Sequence, residues 1–238
     1  MKPGDPEAVR ELFERIAPRY DQLNDLLSLG QHRLWKRQAV AWLQPRPGQR
    51  LLDLCCGTGD LALILAEKVR PGGCVLGLDA AQAPLEVASR RAAANPWLAL
   101  QWQQGDALAT GLADASHDGA VMAYGLRNLA DPAMALRELH RLLRPGARAA
   151  VLDFNRPDPA AGRSAQAVAA FQRFYLRQLV VPTARLVGLP EHYAYLEASL
   201  ATFPLAAEQL QLAHQAGFRQ GSHRPLAGGL MGMLELVA

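Results

Sequence analysis

The sequence predicts an α/β fold: a doubly wound, mostly parallel seven-stranded sheet, preceded by N-terminal helices and closed by a C-terminal antiparallel hairpin. Three observations predict it. Short apolar runs alternate with amphipathic helical stretches from Arg50 to Phe154. A glycine-rich turn follows the first of those runs. The last two strand candidates, Phe218 to Arg224 and Leu230 to Val237, follow one another with no helix between them.

The elements read in order as follows. Pro6 to Ala17 carries Val9, Leu12, Phe13 and Ile16 at helical spacing, and Pro18 interrupts it. Arg33 to Leu43 is a second helix, closed by Pro45 and Pro47–Gly48. Arg50 to Cys55 is the first strand and Asp60 to Val69 its helix. Cys74 to Leu78 is the second strand, with a helix from Ala83 to Ala94. Leu98 to Gln103 and Gly119 to Ala123 are the third and fourth strands. Ala133 to Leu143 is an amphipathic helix stopped by Pro145–Gly146, and Ala147 to Phe154 is the fifth strand. Ala161 to Leu186 reads as mostly helical, Glu191 to Leu200 as a helix or irregular lid, and Pro204 to Ala216 as a helix ended by Gly217. Strands joined through helices pair in parallel, and right-handed crossovers then place helices on both faces.

Composition narrows the classes. The 25 Lys and Arg against 22 Asp and Glu leave a net charge of +3, spread along the chain, so no nucleic-acid tail is expected. Hydrophobic residues make up 50 % and charged residues 20 %, which is ordinary for a folded chain and confines expected disorder to the first residues and the stretch around Ala160. Cys55, Cys56 and Cys74 have no zinc-like spacing, so no metal is expected and the thiols read as reduced and buried. The polar start, Met1 to Glu11, does not read as a signal peptide, and no run of about eighteen apolar residues reads as a membrane span. The expectation is one cytoplasmic domain over 1–238, with N-terminal helices over 1–48 and a helical elaboration over 160–200.

Asp53-Leu54-Cys55-Cys56-Gly57-Thr58-Gly59-Asp60 is the stretch that carries chemistry. Gly57 and Gly59 allow a tight turn and close approach of a ligand at a helix N-terminus. The spacing alone leaves two ligands open, because Gly57, Gly59 and Ala62 also satisfy a loose dinucleotide pattern. Asp53 favours S-adenosylmethionine: a carboxylate in the strand suits a methionine ammonium and repels a pyrophosphate. Asp79 after the second strand suits ribose hydroxyls, and Asp106 with Ala107 after the third suits the adenine. Each of these acids read singly is also an ordinary turn residue. Acids after three successive strands face one crevice. The cysteine pair lacks an evident base and reads as small residues in the turn.

Four stretches then carry a family resemblance: Leu12-Phe13-Glu14-Arg15-Ile16-Ala17-Pro18-Arg19-Tyr20-Asp21 with Trp35-Lys36; Leu52 to Leu61; Ala123-Tyr124-Gly125-Leu126-Arg127-Asn128-Leu129 with Asp131; and Leu152-Asp153-Phe154-Asn155-Arg156-Pro157. With these, the chain resembles the menaquinone/ubiquinone-biosynthesis C-methyltransferases, a Rossmann-like class I methyltransferase family, from Val9 to the C-terminus. Val180 to Ala184, Glu191-His192-Tyr193-Ala194-Tyr195 and Phe203-Pro204 look like its cyanobacterial 2-phytyl-1,4-naphthoquinone branch. The chain departs from the family in having Asp79-Ala80-Ala81 where a serine is frequent, and in having Ala123 where many relatives have serine.

The resemblance implies S-adenosylmethionine as cofactor, contacted by Asp53, Gly57, Thr58, Gly59, Asp79, Asp106, Ala107 and Ala123. It implies a prenylated naphthoquinol acceptor, with demethylmenaquinol or a ubiquinol precursor as the alternatives and an inactive cofactor-binding scaffold as the alternative of another class. The fourth strand would bring Arg127 to the crevice mouth to stabilise phenolate charge, or else into an ion pair that holds the loop, with Asn128 orienting the acceptor oxygen and His192 as a base or a surface histidine. Tyr20 and Asp21 would fold over the cofactor, and Tyr193 and Tyr195 would line the acceptor pocket. Phe171 to Leu200, rich in Phe, Leu, Val and Tyr, would receive the tail and rest on a membrane surface, or pack the helical elaboration against the core. A homodimer is left open.

Overall fold

The computed structural model describes residues 4–17, 25, 28, 30–180 and 190–238, excluding the side chains of residues 179, 180 and 190–194. Helices α1 (Pro6–Ile16) and α2 (His32–Leu43) precede β1 (Arg50–Leu54), α3 (Asp60–Lys68), β2 (Cys74–Asp79), α4 (Gln82–Ala93), β3 (Leu100–Gln104) and β4 (His117–Ala123). Then follow α5 (Pro132–Leu142), β5 (Leu143–Phe154), α6 (Arg163–Tyr175), α7 (Pro190–Thr202), α8 (Ala206–Gln215), β6 (Gln220–Leu226) and β7 (Met231–Val237). Both α1 and α5 start on an Asp-Pro pair. Asp5 and Asp131 accept hydrogen bonds from first-turn amides while Pro6 and Pro132 sit where no amide partner is needed.

The seven strands lie in the order β3-β2-β1-β4-β5-β7-β6, parallel except for β7, which runs antiparallel to both neighbours. The expected doubly wound sheet and hairpin are both present. The chain reverses its direction of winding between β1 and β4, and that switch leaves a crevice at their C-terminal ends.

Strand alternation divides the core between the two faces. Leu52, Leu54, Met122, Val151 and Leu236 pack towards Leu136 and Leu139 of α5. Leu51, Val121, Leu152 and Met233 pack towards Val40 of α2 and Leu65 of α3. Asp53 shares the side of Leu51, so its carboxylate faces α3 rather than α5.

Several boundaries differ from expectation: the third strand begins at Leu100, the fourth at His117 and the first hairpin strand at Gln220. Pro145–Gly146 does not separate α5 from the fifth strand, because β5 already begins at Leu143, paired with His117. The ladder shifts register between His117 and Gly119, and that irregularity accommodates a proline without an N–H. The last helix begins at Ala206 rather than Pro204.

Candidate active site

A cavity of about 580 Å³ fills the crevice at the switch point. Its walls come from the β1–α3 turn, the ends of β2, β3 and β4, and the inner face of α1, including Val9 and Phe13. Asp53, Gly57, Thr58, Asp79, Asp106, Ala107, Ala123 and Asn128 all line it.

Each carboxylate is oriented by backbone amides. Asp53 is 1 % exposed and accepts from the Ala62 amide at 2.9 Å, which ties β1 to α3. Asp79 accepts from Gly57 at 2.8 Å and from Ala81 at 3.0 Å, joining the two turns that a bound nucleoside would bridge. Asp106 accepts from Leu108 at 2.8 Å. Burial pushes the Asp53 carboxyl up to about 7, against the Ala62 amide and Lys36, which pull it down. Burial also raises Asp79, although its amide partners oppose this. A cationic group entering beside them would favour their ionised forms.

Gly59 serves packing rather than the cavity wall. Its φ is +82°, and a Cβ there would meet the Trp102 ring at 2.6 Å. Gly59 itself does not line the cavity, although its neighbours Thr58 and Asp60 do. Cys55 takes a positive φ of 58° in the turn, as a small residue can. Gly125 admits it closely, since a Cβ at Gly125 would lie 2.7 Å from that of Cys55. Burial pushes both adjacent thiols well up, which disfavours a thiolate nucleophile.

Arg127 is not where the sequence placed it. It is absent from the cavity lining. Its Nε lies 3.4 Å from Asp153 Oδ1, its backbone amide donates to Asp153 Oδ2 at 3.0 Å, and Nη1 donates to Ser199 Oγ at 2.5 Å. Both side chains of the ion pair are nearly fully buried, and the guanidinium stacks over Phe154 at 5.5 Å. The physical reason is topological. Ala123 of β4 pairs with Leu152 of β5, so the turn after β4 closes onto the very next β5 residue. Asn128, one residue on, does reach the cavity. Its Nδ2 donates to the Tyr124 carbonyl at 2.8 Å, while Oδ1 is buried without a hydrogen-bond partner.

Of the remaining expected residues, Tyr20 and Asp21 lie outside the described residues. His192 and Tyr193 fall on α7, but their side chains lie outside the description. Tyr195 is buried against Leu12 and Ile16 of α1 rather than among the cavity residues.

Sequence reasoning missed a polar brace behind the turn. Lys36 is 6 % exposed and reaches from α2 to Asp60 Oδ2 at 2.7 Å, while Arg91 of α4 reaches Asp60 Oδ1 at 2.6 Å. Burial alone would raise Asp60, but the two cations outweigh it and bring the carboxyl down to about 2. Arg91 also donates to the Thr58 carbonyl at 2.9 Å. Lys36 sat in a quoted stretch without a role. Its burial was the signal, and sequence does not display that directly. Glu14 was also missed: it accepts from the amides of Gln82 at 2.6 Å and Ala83 at 2.9 Å.

Comparison with known proteins gives this geometry its family. The sequence model of the ubiE/COQ5 methyltransferase family covers residues 1–235. The chain belongs to that family. It is accordingly an S-adenosylmethionine-dependent methyltransferase, and the cavity residues fit that cofactor. The acids offer acceptors to an ammonium and to hydroxyls, and Gly57 and Ala107 leave room against the backbone. This methyltransferase is 49 % identical to the 2-phytyl-1,4-naphthoquinone methyltransferase of Nostoc punctiforme, over 95 % of this chain and 96 % of the relative. It is 44 % identical to the chloroplastic 2-phytyl-1,4-β-naphthoquinone methyltransferase of Arabidopsis thaliana, over 94 % and 85 %. A crystal structure of a methyltransferase from Aquifex aeolicus superposes with a TM-score of 0.61 at 17 % identity, covering 98 % of both chains, and so supports the fold.

Proposed function

We propose that this enzyme C-methylates 2-phytyl-1,4-naphthoquinol. The identity of 44 % or more, over 94 % or more of the chain, to methyltransferases named for the corresponding 2-phytyl-1,4-naphthoquinone supports the reading of the skeleton, and the chemistry of the ring supports its reduced form.

When bound, S-adenosylmethionine supplies an electrophilic methyl group. Asp53 would hold its ammonium and Asp79 its ribose, with Asp106, Ala107, Thr58, Gly57 and Ala123 completing the cradle. An oxidised quinone ring is a poor nucleophile, whereas the quinol is electron-rich. The reacting ring carbon therefore belongs to the reduced acceptor: its new C–C bond replaces the C–S bond, the phenolic proton lost on activation returns as the ring re-aromatises, and the ring proton leaves to water or a base, one proton per methyl. Asn128 Oδ1, buried with no hydrogen-bond partner among the described residues, would accept from the acceptor hydroxyl. Arg127 acts through Asn128 as a positioning residue, holding the turn against Asp153. Enclosure by α1 excludes water and orients both reactants.

The test is transfer of labelled methyl to phytylated naphthoquinol, demethylmenaquinol and a ubiquinol precursor, each with and without reductant. Methylation of the phytylated acceptor in reductant alone is expected. Equal turnover of a stably oxidised quinone, or preference for the benzoquinol, would overturn the reading.

A further inference from the structure

Helix α6 has a face that the core does not use. Its inner side is fixed: Ala169 and Gln172 are buried, and Gln172 donates to the Asn155 carbonyl at 2.8 Å. Its outer side presents Phe171 and Phe174, 53 % and 57 % exposed. Of the six phenylalanines, Phe203 and Phe218 are buried and Phe13 and Phe154 half-buried, so the two exposed rings lie three residues apart on one helix. Exposed Arg163, Ala167, Ala170 and Phe174 follow one another at helical spacing, with Arg173 alongside, while exposed Arg177, just past the end of α6, pairs with Glu197 at 2.9 Å. No Asp or Glu occurs between Asp158 and Glu191. Aromatic rings flanked by arginines, on a stretch free of acids, complement an anionic lipid surface.

The same face connects inward. Phe171 stacks on Tyr175 with ring centroids 6.4 Å apart. Tyr175 and Phe154 pack on Leu176, Leu196 and Leu200. Phe154 lies 6.1 Å from Tyr124, which is part of the cavity wall. A chain of packed apolar side chains thus links the wall of the methyl-transfer cavity to the exposed rings.

We propose that the Phe171–Phe174 face of α6 docks on an anionic lipid bilayer, from which the prenylated acceptor reaches the cavity along Tyr175, Phe154 and Tyr124. This rests on the reading of the acceptor as a long-tailed quinol. No described helix is long and apolar enough to cross a membrane, so the contact is with the surface.

Cosedimentation tests it, using vesicles of phosphatidylcholine alone and of phosphatidylcholine mixed with phosphatidylglycerol. The parent binds the mixed vesicles. Phe171→Ser/Phe174→Ser weakens that binding by about tenfold or more. Arg163→Gln/Arg173→Gln removes the preference for phosphatidylglycerol. Both variants methylate a tail-less, water-soluble naphthoquinol at the parent rate, while turnover of vesicle-borne phytylated acceptor falls with binding. Absence of parent binding, or equal binding by the variants, overturns the proposal. So does a parent dimer that the phenylalanine variants dissociate without changing vesicle binding. Intact vesicle binding with no methylation of any naphthoquinol would instead sink the acceptor reading and leave the docking face standing.

Discussion

The two sides of the cavity are built by different means. On the β1–β3 side, Asp53, Asp79 and Asp106 are each set by amides close by in the same or the adjoining turn. On the β4–β5 side, the wall residues Tyr124 and Asn128 depend on an ion pair behind them, Arg127 with Asp153, and on Ser199 from a distant helix. The first side sets its acids through nearby amides, and the Lys36–Asp60–Arg91 brace steadies the turn from behind. The second exists only once β5 and α7 have docked. Damage should therefore spread differently on the two sides.

The largest effect is expected where that dependence is strongest. Arg127→Met leaves the Asp153 carboxylate buried without its cation, and should cost about 3–5 kcal/mol of stability. Burial already raises Asp153, with Arg127 the main force holding it down, so the carboxyl would protonate rather than stay charged. Adding Asp153→Asn should recover much of the loss. Urea titrations measure both, and affinity for S-adenosylhomocysteine should move little because the other side keeps its own supports. A folded Arg127→Met protein of parental stability with a collapsed kcat would instead return Arg127 to direct contact with the acceptor.

This contrast also marks what the sequence disclosed. Strand–helix alternation, the sheet's winding and the C-terminal hairpin were legible because each rests on local periodicity. The acids lining the cavity were legible because each sits at the end of an apolar run. Arg127 was misplaced because its reach was judged from chain position alone. Pairing of Ala123 with Leu152 would have put Asp153 beside it, and both residues stood in stretches already singled out. Lys36 and Arg91, meeting at Asp60 from two different helices, are products of packing that no single segment announces.

An intermediate effect sharpens the polar side. Burial holds the Asp53 carboxyl up at about 7, above its ordinary 3.8. The folded, ligand-free protein keeps this proton where the unfolded chain loses it, so the group's contribution to stability falls as pH rises from about 4 to about 7 and is constant above. A ligand ammonium pairs with the ionised form, so affinity for S-adenosylhomocysteine should rise with pH by up to about tenfold per unit below 7 and then level off. Asp53→Asn should flatten that profile to whatever Asp79 contributes. Calorimetry across this range that finds parent and variant with the same pH slope would remove Asp53 from the ammonium site.

The smallest effect concerns the cover that both sides share. Helix α4 begins after Ala81, which has no side chain able to cap it. The missing acceptors come from Glu14 on α1, whose two oxygens take the amides of Gln82 and Ala83. A carboxylate at a helix N-terminus also meets the positive end of the helix dipole. The bond therefore caps α4 and latches α1 over the cavity, next to the turn where Ala81 donates to Asp79. Glu14→Ala should lose about 1 kcal/mol of stability, in line with removal of a cap. Its distinctive consequence is kinetic: α1 should open more often, so S-adenosylhomocysteine should leave several-fold faster while the pH profile set by Asp53 keeps its shape. Glu14→Gln retains one acceptor oxygen and should fall between. Stopped-flow release, with hydrogen exchange along α1, reads both. Faster exchange in α4 alone, with α1 protection and ligand release unchanged, would reduce Glu14 to a cap with no hold on the cover.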